Sequence, residues 1–83
     1  MNLSIKLTLE EHRLREDLVI LEERIRMKIR RICLTNLKLP YERLAAGRRL
    51  KELCLLAISS LDDGDDINLA ACLRELRERG MPI

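Results

Sequence analysis

The sequence predicts a mainly α-helical domain: a short N-terminal extended strand or arm, a long antiparallel helical hairpin, and a shorter third helix. Three observations predict it. Apolar residues make up 47% of the 83 and are almost wholly aliphatic, with eighteen Leu, eight Ile, no Phe, no Trp and Tyr41 as the only aromatic. Such a composition suits helices that pack on one another. Two Pro and three Gly are too few to punctuate a turn-rich all-β chain. Finally, apolar residues recur at three- and four-residue steps over two long stretches, the period of a helix with one buried face.

Residues 3–8 alternate strictly, with Leu3, Ile5 and Leu7 apolar and Ser4, Lys6 and Thr8 polar, the period of a half-buried strand. A lone strand cannot satisfy its backbone, and no second strand is obvious in the chain. Segment 1–8 therefore either pairs with its own copy in a dimer or stays an extended arm or an early turn of the first helix.

Thr8-Leu9-Glu10-Glu11 reads as a capping box, so helix one should begin at Leu9 and run over 9–35, which contains no Gly or Pro. Leu14, Leu18, Leu21, Ile25, Ile29 and Ile32 form its main stripe. Ile20, Met27 and Leu34 recur every seven residues on the opposite side, about 160–200° away. A helix with two apolar sides touches two things, the second helix and either the third helix or another molecule.

Pro40 suits the first position of helix two, where its missing amide would be unpaired anyway; this helix is expected over 40–61. Its buried stripe should be Ala46, Leu50, Leu53, Cys54, Ala57, Ile58 and Leu61, widened by Leu55 and Leu56. Gly47, beside Ala45 and Ala46, marks a close helix crossing or a local break. Residues 62–66, Asp-Asp-Gly-Asp-Asp, form an acidic turn, with Gly64 turning the backbone and Asp65 or Asp66 capping helix three. That helix is expected over 67–79, presenting Leu69, Cys72, Leu73 and Leu76, with Gly80 as its stop.

Chemistry is poorly provided for. With Gly64 as the sixth residue of a calcium loop, the first would be Ser59 and the twelfth Ala70, and neither fits an EF-hand. No phosphate-binding glycine loop occurs, and no Ser or Cys nucleophile has a base nearby in sequence. The expectation is a non-enzyme with no cofactor and no metal. Cys33, Cys54 and Cys72, one per helix, match neither a metal site nor a disulfide framework, and read as small reduced core residues in a cytoplasmic protein. The longest run without a charge is far short of the roughly 20 residues that span a bilayer, so no membrane partner is expected.

The strongest polar signal is 24–31, where Arg24, Arg26, Lys28, Arg30 and Arg31 bring five positive charges and no negative one. On a helix they form a collar. Residues 1–38 carry nine positive and six negative charges, whereas 62–83 carry three and six. An antiparallel dimer would pair collar with acidic turn; otherwise the collar is free for phosphate.

The leading expectation is a small interaction protein, an adaptor, regulator or chaperone, working as a homodimer or on a partner protein. Ile20, Met27 and Leu34 would make contact, and Arg24, Arg26, Arg30 and Arg31 would set orientation and rate. The alternative is nucleic-acid binding through 24–31, with Ser4, Lys6, Thr8 and Lys28 as further contacts. Leu-Ser-Ile-Lys-Leu-Thr followed by Leu-Glu-Glu resembles the opening of ribbon-helix-helix repressors, and that resemblance implies Ser4, Lys6 and Thr8 facing bases. It covers about the first eleven residues. Those proteins continue with a short helix and a Gly-containing turn, whereas no Gly precedes Gly47 here, so the family is not assigned.

Overall fold

A computed structural model describes residues 7–35, 38 and 40–83. The chain is mainly helical, with α1 at Leu9–Thr35, α2 at Tyr41–Asp63 and α3 at Asp66–Glu78. The alternating segment up to Lys6 lies outside the described residues, and with it Ser4 and Lys6.

Helix α1 starts where its cap dictates. The Glu11 amide donates to Thr8 Oγ1 at 3.1 Å and the Thr8 amide donates to Glu11 Oε1 at 3.0 Å, a reciprocal capping box. The Thr8 amide, ahead of its hydroxyl, holds the Glu11 carboxyl below its usual range. The Thr8 hydroxyl, expected above as a base contact, thus accepts one hydrogen bond within the cap and keeps its own O–H as a donor.

Helix α2 is the centre of the fold. It packs against both α1 and α3, whose own backbones do not approach one another. Leu18 and Ile25 of α1, Leu53, Cys54, Ala57 and Leu61 of α2, and Cys72, Leu73 and Leu76 of α3 form one core. Two forked ion pairs fix the antiparallel order at either interface. Arg15 donates through Nε and Nη2 to Asp62 Oδ1 and Oδ2 at 2.8 and 3.0 Å. Arg49 donates likewise to Glu75 at 3.0 and 2.9 Å, and Arg79 reaches the same carboxylate at 2.9 Å.

Helix ends differ from the expected bounds for local reasons. Gly64, at φ 70°, ends α2, with the Gly64 amide donating to the Leu61 carbonyl and the Asp65 amide to that of Ser60. This double bond pattern needs the turn before the glycine to stay helical. Asp62 and Asp63 therefore remain in α2, and the five-residue acidic turn shrinks to Gly64 and Asp65. Asp65 caps α3 by accepting the Asn68 amide, which puts Asp66 inside the helix. Pro40 precedes α2 as its cap, its carbonyl accepting the Leu44 amide at 3.0 Å. The same glycine pattern recurs at Gly80, φ 87°, with amide bonds from Gly80 to Arg77 and from Met81 to Leu76. It turns the tail back so that Met81 and Ile83 pack on the core, and Arg77 Nε donates to the Ile83 carbonyl at 2.8 Å.

Burial corrects the stripe of α2 at three places. Ala46 is exposed while Leu44 is buried, and Leu55 and Leu56 are about half exposed instead of widening the core. With only one neighbour on each side, α2 buries the arc shared by α1 and α3 and leaves the rest to solvent.

Helix α3 is too short to cover the hairpin. Its 13 residues reach about 20 Å against about 35 Å for the 23 of α2. The half nearer Gly64 is thus three helices thick and the half nearer Pro40 only two. The radius of gyration is 14.5 Å and the extents are 51 × 22 × 21 Å, where a compact chain of this length has a radius near 12 Å. The accessible surface is correspondingly large, 6551 Å² against about 5,100 Å² for a compact fold of this mass.

The cysteines divide by environment. Cys54 and Cys72 are buried, but Cys33 is exposed near the end of α1 and is not a core residue, because it lies beyond the reach of α3. Burial, helped by the Glu22 charge, pushes the Cys54 thiol up to about 11, and burial raises Cys72 too. A thiol reagent at about pH 8 should therefore modify Cys33 alone in the folded protein and reach all three on denaturation. Equal rates at all three thiols without denaturant would refute this burial pattern.

Candidate functional site

Beyond the end of α3 the cleft between α1 and α2 lies open. It is a half-enclosed groove of about 370 Å³. Ile25, Ile29 and Ile32 form one wall, and Ala46, Gly47 and Leu50 the other; Met81, placed by the Gly80 turn, closes the lower end. The wall at Gly47 is set by close approach, since a Cβ there would stand 3.1 Å from Ile29 Cγ1 and 3.2 Å from Cδ1. Gly47 is thus a helix crossing within an unbroken α2, and no local break occurs.

Three cations, Arg24, Lys28 and Arg43, rim the groove, and among the described residues no acidic one lines it. None of the three forms an ion pair among the described residues. Arg26 differs, standing 3.6 Å from Glu22 one helical turn back. Arg30 and Arg31 are exposed, again without an ion pair among the described residues. The collar therefore splits: Arg24 and Lys28 join the groove, Arg26 is partly neutralised, and Arg30 and Arg31 face solvent. Asp62 is spent on Arg15, and that hydrogen-bonded fork lowers its carboxyl below the usual range.

On the far side of α1, Ile20, Met27 and Leu34 are 47%, 62% and 76% exposed. Helix α3 packs on α2 and leaves this stripe uncovered. No family model, curated protein or solved structure matches this chain.

The functional reading therefore rests on the molecule's own surfaces. Among the described residues no three His, Cys, Asp or Glu side chains gather as a metal site, and no helix is long and apolar enough to cross a membrane. His12 is exposed in the second turn of α1.

The apolar stripe and the positions of Arg24 and Lys28 on α1 are legible in the sequence, whereas the groove is not. Arg43 and Met81 enter it from a second helix and a tail far along the chain. The one local signal was the run of small residues at Ala45, Ala46 and Gly47.

Proposed function

We propose that the chain is a small non-enzymatic interaction protein that presents helix faces to a partner, acting as a homodimer in the cytoplasm. The observation that carries this reading is the open stripe of Ile20, Met27 and Leu34, three apolar side chains in line on one face and exposed among the described residues. Large side chains on one helical face are the usual anchors of helix-mediated recognition. Three unpaired cysteines, two of them buried, suit a reducing compartment.

The test is Ile20→Glu/Met27→Glu in a tagged full chain used for affinity purification. The double variant should keep the helical circular dichroism of the wild type and lose the captured partner. Retained capture would remove the stripe from the reading, and loss of helicity would make it part of the core.

A second reading, nucleic-acid binding, is favoured by Arg30 and Arg31, which form no ion pair among the described residues, beside Arg24 and Lys28. Anisotropy with mixed-sequence duplex DNA and RNA over a salt series discriminates it. A steep salt slope that Arg30→Glu/Arg31→Glu flattens would place the collar on phosphate; absence of binding at low salt would eliminate this reading.

A further inference from the structure

We propose that the groove between α1 and α2 is filled by a second copy of the chain, which inserts the α2–α3 corner around Ile67 with its carboxylates Asp63 and Asp66. The argument starts from what each surface lacks. The groove has aliphatic walls and three cations, Arg24, Lys28 and Arg43, that form no ion pair among the described residues. An occupant must therefore bring an apolar side chain with anions beside it.

The chain carries such a feature at its opposite end. Ile67, in the first turn of α3, is 84% exposed. By the helical period it points away from the core face of Leu69, Leu73 and Leu76, flanked by Ala70 and Ala71, both exposed. Asp66 directly precedes it and Asp63 ends α2 across the Gly64 turn, and neither forms an ion pair among the described residues. Asp62 and Asp65 are already committed, to Arg15 and to the Asn68 amide. Each surface thus offers what the other requires: a knob of aliphatic side chains with two carboxylates, and an aliphatic groove with three cations, none of them ion-paired among the described residues.

The two surfaces cannot meet within one molecule. Arg43 and Asp63 lie 20 residues apart on the same continuous helix, about 30 Å, several times the Debye length of about 8 Å at physiological salt. Between two molecules related by a two-fold axis they meet twice, since each corner reaches the other's groove. Shape agrees with charge. Helix α3 covers one half of the α1–α2 cleft and leaves the other half open, so an inverted second copy lays its α3 where the first has none. This pairing rests on the homodimer proposed above and assigns its interface; it uses none of Ile20, Met27 and Leu34, so loss of the partner captured by that stripe would leave it standing.

The experiment is sedimentation of the full chain over a concentration series, with a charge exchange. Wild type should dimerise, and more weakly as salt rises. Lys28→Glu/Arg43→Glu should be monomeric at concentrations where wild type is dimeric, and so should Asp63→Lys/Asp66→Lys. Their equimolar mixture should recover the dimer, because each reversed groove then faces a reversed corner and the two unaltered surfaces also match. Ile67→Ser alters a side chain already in solvent and leaves the fold in place; it should weaken association at least about tenfold. Circular dichroism of each variant confirms that it is folded. A monomeric wild type, dimers that persist in both reversed variants, or a mixture that stays monomeric would each overturn the proposal.

Discussion

Leu18→Ala should lower the stability of the protein by about 2–5 kcal/mol, the range for a leucine truncated in a packed core. A chain of this length has only about 4–12 kcal/mol in total, so the variant should unfold at far lower urea than the wild type. Leu18 is fully buried and shares its core with Leu61 of α2 and Leu76 of α3, so it is one of the few side chains of α1 that bear on the whole three-helix half. With no aromatic nearby to slide into the vacated space, the cavity stays. Leu34→Ala is the control: at 76% exposed on the same helix, its removal should fall within about 0.5 kcal/mol of neutral. Urea titrations followed by circular dichroism compare the two, and equal costs would overturn the position of the core.

Acid should loosen α3 through a single carboxylate. The hydrogen-bonded fork from Arg49, aided by Arg79, holds Glu75 at about 2 against an ordinary value of 4.5. Because the folded value lies below the unfolded one, the ionised pair contributes fully above about 4.5. That contribution is lost as the pH falls towards about 2. Asp62 and Glu11 are displaced in the same direction and add to the slope. Thermal midpoints taken across this window should fall for the wild type. Glu75→Gln should start lower at neutral pH and change less on acidification, because its side chain has no charge to lose. An identical pH profile in the two proteins would show that the Arg49 fork adds nothing to the fold.

Much of this architecture is legible locally. The Thr8–Glu11 box, the period of Leu14 to Ile29 and the glycines at 64 and 80 each act within one or two helical turns, and each can be read from neighbours in sequence. The missed features depend on distant partners. Ala46 and Leu44 differ in burial because α1 crosses α2 at Gly47, and Cys33 is exposed because α3 ends too soon to reach it. Asp62 and Asp63 look like turn residues by composition, yet hydrogen bonds to carbonyls of the preceding turn keep them helical. The groove is assembled from Arg24, Arg43 and Met81, which no sequence window holds together. Ile67 is likewise hidden in the sequence, where it reads simply as the start of an amphipathic helix.

The shortness of α3 also makes the rod thermodynamically uneven. Around Leu18, Leu61 and Leu76 any opening must expose the shared core of three helices and break two arginine forks, so that end opens only with the whole molecule. Near Thr35 and Tyr41 the hairpin is held by one helix pair with few buried side chains, and local fluctuations there draw on a smaller free energy than global unfolding. The walls of the groove belong mostly to this softer half. Parting them costs less free energy than unfolding the other end, so the surface offered to a partner is built on the less stable half of the molecule.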